Sequence, residues 1–167
     1  MGASTHRLAA RFPDHAVIGI DRSADRLSRD LSHAYGPLPA NALLVRADLV
    51  DFWRLALDAG WQPVRHYLLY PNPYPKAAQL KRRWHAHPIF PAIVGLGGRL
   101  ELRSNWQLYV EECALALGLV ASVTPSVESF KPQPDYLTPF ERKYDESDQT
   151  LWRLTCELPY RPSLLPR

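Results

Sequence analysis

Short uninterrupted apolar runs alternate along this chain with segments whose apolar residues return every three or four positions, so buried strands are expected to alternate with amphipathic helices. Leu8 and Phe12, one helical turn apart behind the possible caps Ser4 and Thr5, predict a short opening helix. Val17-Ile18-Gly19-Ile20 reads as a buried strand ending at Asp21. Ser23 is placed to cap a helix through Leu27, Leu31 and Ala34, which Tyr35-Gly36-Pro37 stops. Leu43-Leu44-Val45 is the next buried strand, with Asp48 beyond its end. Asp51 then caps a helix carrying Phe52, Leu55 and Ala59 that Gly60 ends. Tyr67 to Tyr70 is the third strand. Ile89, Ile93 and Leu96 predict a helix closed by Gly97-Gly98, and Arg99 to Leu102 a fourth strand. Tyr109, Cys113, Ala116 and Val120, at spacings of four, three and four, predict a long amphipathic helix begun by Asn105 or Trp106. From Trp152 to Leu158 the period changes to strict alternation, with Trp152, Leu154, Cys156 and Leu158 on one side and Arg153, Thr155 and Glu157 on the other, the pattern of a strand packed on one face. This order predicts an α/β fold: a mainly parallel sheet with helices on both faces.

With 167 residues, 46% of them hydrophobic, the chain is expected to form one domain over residues 1–159 with its own core. Residues 160–167, containing Pro162 and Pro166, read as a loosely held tail. A formal net charge of +3 permits a polyanionic partner without demanding one. Cys113 and Cys156 lie in apolar patterns without metal-type spacing and read as reduced core residues of a cytoplasmic protein. No apolar run approaches the roughly 18 residues of a membrane helix. His85 and His87 flank an alanine but lack a third ligand, so they read as surface or helix-cap residues and no metal is expected. Monomer and homodimer both stay open.

Candidate chemistry concentrates after the third strand, in Tyr70-Pro71-Asn72-Pro73-Tyr74-Pro75-Lys76 followed by Lys81-Arg82-Arg83. Three close-set prolines stiffen a loop bearing an amide, two aromatic rings and a lysine, at the carboxyl end of a buried strand, where open α/β sheets place ligands. Two further short motifs lie downstream, Ser104-Asn105 after the fourth strand and Thr138-Pro139-Phe140-Glu141 near the C-terminus.

In order and spacing these three motifs resemble those of the bacterial tRNA (guanine-N7)-methyltransferases, which are class I S-adenosylmethionine-dependent enzymes; the likeness spans nearly the whole chain. That family carries Phe-Pro-Asp-Pro-Trp-x-Lys and a basic stretch, then Thr-Asp, then Thr-x-Phe-Glu; here asparagine stands at Asn72 and Asn105 in place of aspartate. The resemblance implies a Rossmann-like class I fold that binds S-adenosylmethionine and methylates RNA, most specifically guanine N7 of tRNA. It also implies that the family's first strand and most of its glycine-rich turn are missing before Met1-Gly2-Ala3-Ser4-Thr5. That would leave two parallel strands without a neighbour, as in a truncated or wrongly started version of a longer protein.

Site residues follow from the same resemblance. Gly2 corresponds to the end of the glycine-rich turn. Asp21, 19 positions later, corresponds to a ribose-binding carboxylate, with a turn aspartate as the plain structural reading. Asp48 corresponds to the adenine-contacting position, or is a loop residue before the Asp51 cap. Asn72 stands between cofactor and base as the catalytic position. Lys76, Lys81, Arg82 and Arg83 are expected to meet RNA phosphates, with Tyr74 and Trp84 as stacking surfaces. Asn105, Thr138, Phe140 and Glu141 are expected to bind the substrate base, although Phe140 equally suits a core. Three other readings remain: a methyltransferase with a different acceptor, since Asn72-Pro73-Tyr74 partly matches the Asn-Pro-Pro-Tyr loop of enzymes that modify exocyclic amines; an inactive RNA-binding module; and a chain too incomplete to fold alone.

Overall fold

Gly2 starts the first helix with φ 103°, a conformation that only glycine adopts without strain. Helix α1 (Ala3–Arg11) therefore begins just ahead of the expected caps, and Thr5 is buried rather than capping. The computed structural model describes residues 2–24 and 36–164; the helix expected through Leu27, Leu31 and Ala34 lies outside the described residues.

Strands β1 (Val17–Asp21) and β2 (Ala42–Arg46) pair in parallel, with Val17 opposite Ala42 and Asp21 opposite Arg46. Gly19 lets α1 lie close on β1, because a Cβ there would sit 2.0 Å from Thr5 Oγ1 and 2.9 Å from Leu44 Cδ2. The Asn41 amide donates to the carbonyls of Ala9, Phe12 and His15 at 3.1, 3.1 and 2.9 Å, tying the end of the helix to the start of β2. Helix α2 (Leu49–Asp58) starts two residues before the expected cap: Asp48, not Asp51, accepts the Val50 N–H at 2.9 Å. Asp51 lies in the first turn, where a carboxylate favours the helix dipole.

Strands β3 (Arg65–Leu69) and β4 (Gly98–Ser104) are parallel, and β6 (Leu151–Leu158) inserts antiparallel between β4 and β5 (Ser126–Phe130), giving the order β3-β4-β6-β5. The alternation read from the sequence fixes the face of β6: Leu154 and Cys156 lie opposite Leu102 and Leu100 on the apolar side. On the other side Arg103 and Arg153 are cross-strand partners. Their repulsion is offset because Glu101 holds the first at 2.7 Å, Glu128 the second at 2.5 Å, and both guanidiniums lie over the Phe130 ring at 5.1 and 5.4 Å. Among the described residues β1 pairs on one edge only, with β2, and β3 on one edge only, with β4.

Helix α3 (Phe90–Gly95) and the longer α4 (Gln107–Ala121) supply the rest of this core. Tyr109, Val110, Cys113, Leu117 and Ala121 of α4 are buried, whereas Leu108, Leu115 and Leu119 stand exposed. Neither β5 nor the short helix α5 (Pro139–Asp145) was anticipated. The segment read as a loose tail is docked as far as Leu164: Arg161 N–H donates to Gly95 C=O at 2.8 Å, and Pro162–Leu164 makes a 3-10 turn. The contacts divide the chain into two compact units, one comprising Met1–Phe52 with Pro132–Arg142 and the other Trp53–Lys131 with Lys143–Arg167. No helix among the described residues is long and apolar enough to cross a membrane.

His66 on β3 has both ring nitrogens sealed from water without a hydrogen-bond partner, although the residue as a whole is only half-buried. Burial lowers its pKa from 6.5 to about 4. The unfolded chain thus takes up a proton near pH 6.5 that the fold refuses until about pH 4, so stability is full above 6.5 and falls as pH drops through that window. The loss should approach about 3 kcal/mol near pH 4. Urea denaturation from pH 7 to 4.5 is expected to show this limb in the native chain and to flatten it in His66→Leu.

Candidate functional site

In the first unit, the two carboxylates expected at the cofactor come together by backbone pairing. Asp21 is the last residue of β1 and Asp48 lies two residues beyond the adjacent parallel β2, and Ala47 N–H donates to Asp21 C=O at 3.1 Å. Asp21 is buried, 3% exposed, and its Oδ1 accepts the Ser23 N–H at 2.7 Å. Gly2 lies at the N-terminus of α1, which packs on β1. Both plain readings also have a basis here, since Asp21 closes a turn and Asp48 caps α2.

The C-terminal motif is a helix cap. Thr138 Oγ1 accepts the Glu141 N–H at 3.0 Å, and Glu141 Oε2 accepts the Leu137 N–H at 2.7 Å. Thr138-Pro139-Phe140-Glu141 is thus close to a capping box with proline at the first helical position, a pattern readable in the sequence but not used above. Glu141 is 1% exposed. Phe140 is 51% exposed, which removes the core reading.

In the second unit, the loop after β3 is built rather than merely stiff. Tyr70 and Tyr74 have φ of 50° and 46°, left-handed conformations unfavourable for aromatic residues. Asn72 is exposed, and its Oδ1 accepts the Tyr74 N–H at 3.2 Å. Lys76 precedes a 3-10 segment, Ala77–Arg82, whose Lys81 and Arg82 are exposed as expected, with the Arg82 guanidinium 6.0 Å from the Tyr74 ring. Asn105 follows the end of β4, next to β3, and donates to Gln149 Oε1 at 2.8 Å.

Arg83 corrects the sequence reading. It is 3% exposed and does not face solvent with its neighbours. Its Nε–H donates to Pro73 C=O at 3.0 Å and Tyr74 C=O at 3.3 Å, one terminal nitrogen donates to Tyr74 C=O at 3.0 Å, and the other pairs with the Glu112 carboxylate. A buried guanidinium with all three nitrogens engaged inside the protein is not placed to hold a phosphate.

His85 is likewise not a surface residue: its Nε2–H donates to Glu112 at 3.0 Å and its Nδ1 is buried without a partner. Burial pushes its pKa down, against the opposing pull of Glu112. His87 Nδ1 accepts the Ile89 N–H at 3.1 Å, a local cap. Trp84, expected to stack on a base, packs edge-on against Trp53 with ring centres 4.8 Å apart, while its backbone N–H donates to the Tyr109 hydroxyl at 3.1 Å. Burial raises the Tyr109 pKa and pushes Cys113 up to about 12, so both stay protonated and take part as packing groups. Glu112 was not singled out in the sequence, and Tyr109 was read there only as part of the helical spacing; the two lie one turn apart on α4.

Mixed sheets with helices on both sides, acidic residues beyond β1 and β2 and a proline-locked loop beyond β3 define a class I, Rossmann-like methyltransferase fold. The chain belongs to the family described as "Putative methyltransferase", which matches residues 1–154. A curated relative, the tRNA (guanine-N(7)-)-methyltransferase of Burkholderia thailandensis, is 26% identical over 92% of this chain, which spans only 60% of that protein's length. Among solved structures, an antibiotic-related methyltransferase superposes with a TM-score of 0.63 at 12% identity, covering 94% of this chain and 83% of its own. A mutant 16S rRNA (adenine(1408)-N(1))-methyltransferase from Catenulisporales acidiphilia, with its cosubstrate SAM, does so at 0.56 and 17% identity, covering 93% and 80%. These likenesses establish the fold.

The cap predicts a stability effect. Thr138→Ala should cost about 1 kcal/mol, and Glu141→Ala about 1–3 kcal/mol because the buried Leu137 N–H loses its acceptor. Thermal melts of both variants check the order.

Proposed function

We propose that this chain transfers a methyl group from S-adenosylmethionine to guanine N7 of tRNA. The name of the Burkholderia relative supports the substrate, the family supports the reaction class, and the cosubstrate of the rRNA enzyme supports the cofactor. The observation that carries the choice of acceptor atom is the state of the loop. Asn72 Oδ1 already gives one of its two lone pairs to the Tyr74 N–H, and Pro73 C=O one to Arg83, so each has less to offer a further donor. An exocyclic amine needs open acceptors for its hydrogens as it is methylated. Guanine N7 carries a lone pair and no proton, so it asks only to be aligned. The loop therefore suits N7 better than an amine.

The residues present also fit the cofactor chemically. S-adenosylmethionine supplies a methyl on a positively charged sulfonium, which favours carboxylates over lysines in its surroundings. Asp21 is assigned to the ribose hydroxyls, Asp48 to the adenine, and the left-handed Gly2 to close backbone approach. Asn72 and Asn105, both beyond the ends of β3 and β4, border the acceptor base. With the cofactor bound, Asn72 would stand beside a purine ring that becomes positively charged when the methyl carbon leaves sulfur for N7. An amide at Asn72 favours that charge less than the family's aspartate would. Lys76, Lys81 and Arg82 hold the RNA backbone, with the half-buried Tyr74 and the exposed Phe140 as aromatic surfaces.

Incubation with tritium-methyl S-adenosylmethionine and unmodified tRNA, followed by aniline cleavage at N7-methylguanine, tests this. Label that maps to N7 sustains the proposal; label in an exocyclic amine, or none in tRNA despite cofactor binding, rejects it. Asp21→Asn should weaken cofactor binding by about tenfold or more in calorimetric titration, as expected for loss of a charge-assisted hydrogen bond.

A further inference from the structure

The contiguous run Lys81-Arg82-Arg83 does two different jobs, and the geometry points to Arg83 as a positioning residue for the reacting loop. This inference rests on the reading of the Asn72 loop as the place of methyl transfer. Lys81 and Arg82 face solvent, while the Arg83 side chain turns inward and reaches back ten residues to the Pro73 and Tyr74 carbonyls. Those carbonyls belong to a turn that does not hold itself. Tyr74 at φ 46° stores backbone strain. Within the loop, the Tyr74 N–H bond to Asn72 spans only two residues. The long-range restraint on the Tyr74 end is the guanidinium.

Arg83 is itself aimed by a second layer. Glu112 of α4 pairs with its remaining terminal nitrogen, and the neutral His85 donates to the same carboxylate from the other side. Trp84 N–H on the Tyr109 hydroxyl fixes the backbone next to Arg83 to the same helix. The strained turn is thereby referred to α4, a fifteen-residue helix whose inner face is fully buried. A lysine cannot reproduce this: an ammonium is one point donor, whereas the planar fork serves two adjacent carbonyls and a carboxylate at once.

The test is Arg83→Lys beside the double variant Lys81→Ala/Arg82→Ala. Arg83→Lys should lower kcat by about 100-fold, as expected for a misplaced reacting group, with tRNA Kd within about twofold and its salt dependence unchanged. Hydrogen–deuterium exchange should rise about tenfold or more in a peptide covering residues 70–80 and stay unchanged in β4 and α4. The double variant should do the reverse: weaker tRNA binding with a salt slope shallower by about 2, and loop exchange unaltered. Glu112→Gln, which keeps an acceptor but loses the charge, should repeat the Arg83→Lys pattern more weakly and serves if Arg83→Lys does not fold. A raised tRNA Kd and reduced salt slope in Arg83→Lys, with unchanged loop exchange, would overturn the inference by making Arg83 a phosphate contact. Native kcat in Arg83→Lys would overturn it equally. If no methyl reaches tRNA in any variant while the exchange pattern holds, the methyl-transfer reading fails and the loop restraint stands.

Discussion

The antiparallel ladder from Gly98 opposite Leu158 to Ser104 opposite Trp152 is the constraint on which the second unit depends. It brings the last strand of the chain between β4 and β5, closes an apolar layer of Leu100, Leu102, Leu154 and Cys156 over α4, and fixes which residues stand at the carboxyl ends of β3 and β4. Because side chains alternate along a strand, a slip of one residue would turn Leu154 and Cys156 outward and bring Arg153 and Thr155 into the core. The positions of Asn72 and Asn105 follow from this register together with that of the parallel pair β3–β4.

Residue types that signal recognition serve construction at several points in this protein. Arg83 belongs to a basic run yet is wholly internal, and Thr138 and Glu141 belong to a motif associated with base recognition yet cap a helix. The two uses share a cause. Planar, multiply donating or accepting side chains are the ones able to satisfy several backbone groups at once, and a loop that must present a fixed acceptor or donor has more unsatisfied backbone groups than a strand or helix. A recognition surface on loops therefore draws on the same residues for its support.

The exchange of aspartate for asparagine at both Asn72 and Asn105 separates this chain from the pattern it resembles, and the structure gives each amide a local partner, Tyr74 N–H for the first and Gln149 for the second. Both remain at strand ends, so the geometry of positioning is kept while two negative charges are lost. In the proposed transfer, whose acceptor has no proton to remove, geometry would be the larger requirement, and the loss would bear on how well a cationic base is accommodated.

The sequence determined the alternation of strands and helices, the packed face of β6, the strand-end placement of Asp21, Asp48, Asn72 and Asn105, and the family. All of these are written in local periodicity or in motifs short enough to read directly. It did not show β5, whose Ser126–Phe130 has only two apolar residues and is held by its neighbour β6, nor the cap formed by Thr138 and Glu141, because the same four residues also match a recognition motif. Nor could it divide Lys81-Arg82-Arg83, since three adjacent cations are equivalent until the chain turns. Only the tertiary structure decided that Arg83 points inward, because that depends on where α4 places Glu112, twenty-nine residues away, and on how the strained turn at Tyr74 directs two carbonyls toward it.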